Sequence, residues 1–418
     1  MDKKYKRYTE NMKIGFISIA FPEDLEKSVV GIYKRMHMFI QAMKAMGELD
    51  MLFYVRPGLA IGREYVEDME ERLSKQWDAK IKLHLCNLEP VKQSKGRWQE
   101  YISPALRIEN LPPYQQMAQK EQIRAALNLM EMRPDILFIH RLGSMIPVLL
   151  SKANHSRVFF DLDDIEHVAF QRSIKQPPLW PGKRMFYLRL PILKLWEKRA
   201  IRYSKTTFVC SDHDRDYLTD VFGCANVSVV PNAIRIPKEQ ELTDTPTLMF
   251  LGTMTYQPNV VAADYLIKHI WPTIISAIPD ARLFIAGSKP ELLSSFAGNP
   301  AGVEFLGFVD DLEKLYSTTK VVCCPILSGG GTRIKILEAA AYGKPVVSTT
   351  IGAEGIGLKE GEEILMRDDP RSFADACIQL LTNTDVARKM GHSIRSAIAE
   401  KYDIDAVSRT IQNHMLNN

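Results

Sequence analysis

The chain has 418 residues, 46% of them apolar and 25% charged, with a formal net charge of +4. This is an ordinary globular composition, which excludes a disordered or fibrous protein, and the length exceeds one typical core, so two domains are expected. No run reaches the roughly 18 apolar residues that span a bilayer, and Cys86, Cys210, Cys224, Cys323, Cys324 and Cys377 follow no metal-ligand spacing, so buried, reduced thiols in a cytoplasmic protein are expected.

In chain order, MDKKYKRYTEN places cations before an apolar stretch, as a secretion signal would. Pro22, Glu23 and Asp24 follow at once without a small-residue cleavage site, so KIGFISIAF reads as a first buried strand. Further strands are expected at DMLFYVR, IKLHLCNL, DILFIH, RVFFDLD and TTFVCS, with a helix from Gly31 to Met46 ended by Gly47. The pattern then restarts with strands TLMFLG, ARLFIAG, VEFLGF, KVVCCPIL and PVVSTT, separated by helical NVVAADYLIKHIWPTIISA and TRIKILEAAAY. This alternation predicts an α/β protein of two Rossmann-like domains, residues 1–235 and 236–398, with a helix in 399–418 returning to the first. VSVVPNAIRIPKEQELTDTP is the expected crossing, and ligands of such a pair belong in a cleft beyond the carboxyl ends of the strands.

The segment richest in chemistry is PILSGGGTRIKILEAAAYGKPVVSTTIGAEGI, from Pro325. Gly329, Gly330 and Gly331 let backbone approach a ligand before Thr332 opens a helix, whose free amides and dipole favour an anion. Arg333 and Lys335 place positive charge in a first turn where Asp or Glu would suit the dipole, a breach that a bound diphosphate explains. Glu338 can accept both hydroxyls of a ribose. The plainer alternative is a flexible turn followed by a surface ion pair between Lys335 and Glu338. Gly343 ends this helix and Pro345 begins the next strand.

These residues resemble the donor-site signature of the retaining glycosyltransferases of family four, which have the GT-B fold, in the GGGTR-x-K-x-LEA variant of exopolysaccharide-type sugar transferases. LGTMTYQPNVVAADYL, LFIAGSKP, VEFLGFVDDL and the hinge-like VVPNAI carry the resemblance through the chain from Asp135 onward. It implies a nucleoside diphosphate sugar as donor substrate and no separate cofactor. Glu338 would hold the ribose, Arg333 and Lys335 the diphosphate, and the loop Gly307, Phe308 and Val309 the base. Gly252, Gly287, Gly329, Gly330, Gly331, Thr332, Ile336 and Leu337 would complete the donor site, and Gly31, Asp163 and Asp164 would lie on the acceptor side. The sequence departs from the family where a glutamate eight residues before Glu338 is replaced by Gly330, and where GTMTYQPN lacks the Arg and Lys expected after the first donor-domain strand. Arg333 and Lys335 are read as compensating for those two cations.

In the first domain His140 closes a strand and is expected to face the cleft and contact the sugar, as the resemblance implies, the bland reading being a histidine that caps a loop. Asp161, Asp163 and Asp164 form a DxD that elsewhere holds a metal; here they are read as acceptor-side or structural, with no metal ligand expected. From Arg172 to Lys205 there are ten Lys or Arg against the single Glu197, interleaved with Trp180, Phe186, Tyr187, Trp196 and Tyr203. This segment fits peripheral contact with an anionic membrane surface or a helix with one buried face, interrupted by Pro191. No nucleic-acid motif accompanies it, so nucleic acid is not expected as a partner. The sequence-level reading is a retaining, metal-independent hexosyltransferase acting on a saccharide, lipid-linked or other small acceptor in cell-surface polysaccharide or glycoconjugate synthesis. A nucleotide-sugar 2-epimerase and an inactive partner subunit are the rivals.

Overall fold

The computed structural model describes residues 12–25, 31–90, 96, 102–176, 179–329 and 332–417. The chain forms two units, residues 1–230 with 407–418, and residues 231–406. The first division thus falls at 230/231 rather than 235/236, and the return begins at 407 rather than 399.

Unit 1 holds seven parallel strands in the order β3-β2-β1-β4-β5-β6-β7. They are β1 Met12–Ser18, β2 Gly47–Val55, β3 Ile81–Asn87, β4 Ile136–His140, β5 Val158–Asp163, β6 Thr206–Val209 and β7 Val227–Val229. Their near-continuous apolar runs are what a parallel sheet covered on both faces requires. Phe16, Phe53, Phe138 and Phe208 project from β1, β2, β4 and β6; Phe16 and Phe138 stack at 5.6 Å, and Phe39 of the helix Gly31–Lys44 closes on Phe138 at 4.7 Å. That helix ends at Lys44, and Gly47 opens β2 instead of capping it. A side chain at Gly47 would meet the carbonyl oxygen of Met12 at 1.9 Å, so close strand pairing, not helix termination, explains the glycine. The last helix, Ile404–Asn417, buries Val407, Ile411 and Met415, and is tied to unit 1 by Gln412 donating to Ala42 O and Arg157 to Met415 O.

Unit 2 has six parallel strands in the order β10-β9-β8-β11-β12-β13. These are β8 Thr247–Leu251, β9 Arg282–Ala286, β10 Val303–Gly307, β11 Val321–Cys324, β12 Val346–Ser348 and β13 Leu365–Met366. Both sheets therefore run outward from a switch point, β1/β4 in unit 1 and β8/β11 in unit 2, the doubly wound arrangement in which ligands meet the carboxyl ends of the strands. Small residues set the helix spacing: Ala339, Ala340 and Ala341 are wholly buried among Leu248, Phe250, Val322 and Val347. The predicted helix NVVAADYLIKHIWPTIISA is a helix Gln257–Tyr265, a π segment Leu266–Ile270 and a helix Trp271–Ala277. Pro272 lacks the amide that would bond four residues back, and the ladder widens just before it. Five of the six cysteines are buried, Cys86 is half-buried and all are free. No described helix is long and apolar enough to cross a membrane.

Candidate functional site

At the carboxyl ends of β8, β9, β10 and β11 the loops are glycine-rich and joined through backbone. Gly252 donates to Ala286 O at 2.9 Å, and Gly287 to Gly307 O at 2.7 Å. A side chain at Gly287, where φ is +139°, would meet Gly252 O at 2.0 Å. Gly307 has φ of +67° and open space about its Cβ position, Phe308 beside it is exposed, and Val309 packs on the core.

From β11 the chain passes Ser328 and Gly329, where φ is +108°, and Gly330 and Gly331 lie outside the described residues. The helix Ile334–Ala341 starts after Arg333, its N-cap, and not at Thr332 as the sequence suggests. The hydroxyl of Thr332 accepts from Asn232 Nδ2 at 2.5 Å, and Arg333 takes the extended cap conformation in its place. Arg333 reaches back to Ser328 O at 3.4 Å, and a side chain at Gly329 would meet both its guanidinium and the Tyr256 hydroxyl at 3.1 Å. The first turn holds no acid.

Lys335 does not form the surface ion pair with Glu338 that the spacing allows. It is half-buried, its Nζ donates to Asn259 Oδ1 at 2.8 Å, and it lies 4.5 Å from the centre of the Phe250 ring. Burial pushes its ammonium down to about 8, with Cys324 and Glu338 opposing and Arg333 assisting. Glu338 is buried on the same helix, whereas Ile336 and Leu337 put their side chains into the core. Of the predicted donor residues, Gly252, Gly287, Gly307, Phe308, Gly329, Thr332, Arg333, Lys335 and Glu338 thus gather around four adjacent strand ends and one helix terminus.

In unit 1, His140 ends β4 but is wholly buried, not an open ring. Its Nδ1 is 2.9 Å from Ser18 Oγ, and Nε2 lies 3.8 Å from Asp161 Oδ2 without a hydrogen bond. Burial, with Arg141 and Arg35 nearby, holds it well below the usual histidine value, so it is neutral at physiological pH. Asp161 is taken up by Arg35, which donates from Nε at 3.0 Å and from Nη2 at 2.6 Å. Asp163, at φ of +61°, lies 3.4 Å from Arg35 Nε, and Arg141 reaches both Asp163 and Asp164 at 3.8 Å. The carboxylates of the DxD thus meet at Arg35, with Arg141 beside them, and no group of three His, Cys, Asp or Glu among the described residues is arranged to hold a metal. Gly31 is the exposed first residue of the helix Gly31–Lys44.

The basic segment forms a 3-10 stretch Lys183–Arg189 and a helix Leu190–Tyr203. Pro191 sits in the first turn of that helix, where it starts it and breaks nothing. Ile192, Leu193, Trp196, Glu197, Ala200 and Ile201 form its buried face. Leu179, Trp180, Met185, Leu188 and Leu195 remain exposed, Leu179 by 69%.

Asn259, Phe250, Tyr256 and Asn232 were not singled out from the sequence as site residues. Each meets the glycine loop or its helix from about 70 to 100 residues away, and the one local signal was the YQPN turn that follows β8.

Residues 245–383 match the family model of glycosyl transferases group 1. An uncharacterized 44.6 kDa protein in the cps region of Klebsiella pneumoniae is 27% identical over 39% of this chain and 44% of its own length. The phosphatidyl-myo-inositol mannosyltransferase of Mycobacterium leprae is 25% identical over 79% of this chain and 91% of that protein. Among solved structures, Anabaena HepE in complex with UDP and glucose aligns over 97% of this chain and 99% of its own, with a TM-score of 0.63 and 13% identity. Staphylococcus aureus TarM gives 0.69 at 12% identity over 97% of this chain and 99% of its own. At such identity the structural likeness establishes the fold, which is GT-B. With the group 1 match inside unit 2 and the mannosyltransferase relative, these findings support a glycosyltransferase of the GT-B fold.

Proposed function

We propose that the chain transfers a hexose from a nucleoside diphosphate sugar to a saccharide or lipid-linked acceptor with retention of anomeric configuration, in the synthesis of a cell-surface polysaccharide or glycoconjugate. The observation that carries this is Lys335: a half-buried ammonium with a neutral amide and an aromatic ring as its neighbours, beside a helix start that has no acid in its first turn. An anion is the missing complement of that arrangement. A diphosphate on the glycine loop would meet Lys335, Arg333 and the helix amides together, and Glu338 would take the ribose hydroxyls. The loop at Gly307 to Val309 would read the base through its backbone.

As the bond from the anomeric carbon to phosphate breaks, negative charge grows on the departing diphosphate. Cations and amides already fixed there stabilise it without reorganising, the kind of contribution that is often the largest single term in catalysis. His140, neutral and held by Ser18, is assigned to the sugar-bearing side, and Gly31, Asp163 and Asp164 to the acceptor side. On this account no divalent ion is needed. That relatives carry the names of a mannosyltransferase and of a protein captured with UDP and glucose supports a hexosyl donor.

We also assign the exposed Leu179, Trp180, Met185, Leu188 and Leu195, interleaved with cations, to peripheral contact with the cytoplasmic face of a membrane. The test of the central reading is incubation with UDP-, GDP-, ADP- and dTDP-sugars, with and without EDTA. Slow release of nucleoside diphosphate that survives chelation is expected. A new sugar nucleotide would identify an epimerase, and binding without turnover an inactive subunit.

A further inference from the structure

The motif GGGTRIK names Lys335, but what holds the lysine in place comes from another part of the chain. Asn259 is 7% exposed, in the first turn of the helix Gln257–Tyr265. Its Nδ2 donates to Thr253 O at 2.9 Å and its Oδ1 accepts from Lys335 Nζ at 2.8 Å. The amide can satisfy both partners in one orientation only, which fixes its oxygen toward the lysine. Gly252 lies alongside: a Cβ there would come within 2.7 Å of Asn259 Nδ2 and 2.9 Å of Lys335 Nζ. The missing side chain leaves room for exactly this pair of groups to meet at the end of β8.

We propose that Asn259 is the positioning residue for Lys335, carrying its ammonium to the end of β8 so that a diphosphate at the start of the helix Ile334–Ala341 meets a cation already in place, and that Gly252 serves as clearance for the pair. This rests on the donor-site reading above. It also locates the replacement for the cations missing from GTMTYQPN: Lys335, from the helix after β11, stands over Phe250 of β8, the strand after which they would have come. An ammonium has three donors, and among the described residues Lys335 Nζ has one hydrogen-bond partner. β8 and the helix Gln257–Tyr265 offer it Phe250 and Asn259, neither charged. The charged or titratable groups facing it are Cys324 from β11 and, from its own helix, Arg333 at the cap and Glu338 further along.

A proton linkage follows. With its ammonium pushed down to about 8, Lys335 is partly neutral in mildly alkaline solution, and a bound diphosphate restores its charge by drawing a proton from the buffer. Titration calorimetry of the full chain with UDP, GDP, ADP and dTDP at pH 8.5, in two buffers of unlike ionisation enthalpy, reads that uptake. Wild type should take up roughly 0.8 of a proton with the nucleotide that binds. Asn259→Asp places a carboxylate against the amine and keeps it charged before binding, so uptake should fall to nearly zero and Kd rise about tenfold or more. Asn259→Leu removes the acceptor, so Kd should rise while uptake persists. Unchanged Kd and uptake in Asn259→Asp, with an unaltered melting temperature, would overturn the assignment while leaving the donor site intact. If both variants melt far below wild type, Gly252→Ala decides: its Cβ would press on Asn259 Nδ2 and Lys335 Nζ, so Kd should rise, and an unchanged Kd in folded Gly252→Ala overturns the assignment. If no nucleoside diphosphate binds wild type, the donor-site reading fails and this inference falls with it.

Discussion

Replacing Lys335 with methionine removes one charge and keeps most of the side chain's length, which separates two roles for the lysine. An amine held at about 8 instead of 10.5 carries a native-state penalty. At 1.36 kcal/mol per unit this is about 3 kcal/mol, and discounting for the partial exposure of the side chain leaves about 1–2 kcal/mol. The variant also forfeits the hydrogen bond to Asn259, worth about 1 kcal/mol. The two nearly cancel, so apo Lys335→Met should melt within a few degrees of wild type, level or slightly higher. The pH dependence gives the sign. Below pH 8 the amine is charged in both folded and unfolded chains and the penalty is complete. Between pH 8 and 10.5 the folded chain releases this proton first, so Lys335 contributes a rise in stability through that window, against the fall contributed by thiols that burial pushes up. Lys344, pushed down to about 8 by burial, adds a rise in the same window, so the diagnostic is the part of the slope that Lys335→Met removes. Turnover of the preferred nucleotide sugar should fall about 100-fold or more, since a pre-placed cation facing a leaving diphosphate is lost. Calorimetric melting from pH 7 to 10.5 and nucleotide-release kinetics check both halves. A variant that melts well below wild type and keeps its turnover would show the lysine to be a structural tie and remove the main support for the donor site.

Glu338→Ala should weaken nucleotide binding, because each charge-assisted hydrogen bond to a ribose hydroxyl contributes about 1.5–3 kcal/mol; equal affinity in a folded variant would remove the ribose assignment. His140→Ala should lower turnover while leaving nucleotide affinity nearly intact, since the residue belongs to unit 1, and a parallel loss of both in a binding assay would place it elsewhere. Asp161→Asn removes the carboxylate nearest the buried Arg35, leaving Asp163 3.4 Å from its Nε, and should cost unit 1 about 2–3 kcal/mol by denaturant titration, somewhat less than a fully uncompensated buried charge; a loss below about 1 kcal/mol would mean the pair is dispensable to the fold. The full chain should sediment with vesicles of anionic lipid at low salt and be released at high salt, as each cation near such a surface is worth about 1 kcal/mol. Failure to sediment at low salt would leave the Arg172–Lys205 segment as a domain helix alone.

The long apolar strands and the helix that follows β11 were legible because their signals are local: a run of buried residues, a helix period. β7 was missed because VSV is three residues long and runs directly into VVPNAI, whose proline reads as a crossing, and β13 because two residues make no pattern. The start of the helix at Ile334 was misplaced by two residues because Thr332 is a good cap by type, and only its bond to Asn232, a hundred residues earlier, shows that the hydroxyl is already committed. The DxD was ambiguous for the same reason. Nothing local to Asp161 announces Arg35, which lies 126 residues before it. Pairings across a sheet follow from topology, and a single sequence shows topology only in outline.

The two units carry their charges in opposite ways, and the contrast bears on where the chemistry lies. In unit 1, Asp161 and Asp163 are pushed up by burial and drawn down again by Arg35 and Arg141, so each carboxylate has its answering cation within the fold. In so matched a group, removing one partner leaves the others less compensated. In unit 2, Lys335 is matched by a neutral amide, an aromatic face and a glycine that clears the way for them. An Asp at position 259 would pair with the same ammonium, but it would set its second oxygen against Thr253 O, which Asn259 Nδ2 now satisfies. Asparagine answers both partners and holds the lysine without neutralising its field, so the ammonium stays able to meet an anion. Asp161→Asn and Asn259→Asp therefore exchange the same two groups with opposite expectations: the first should destabilise unit 1, while the second leaves unit 2 folded and weakens its hold on the ligand.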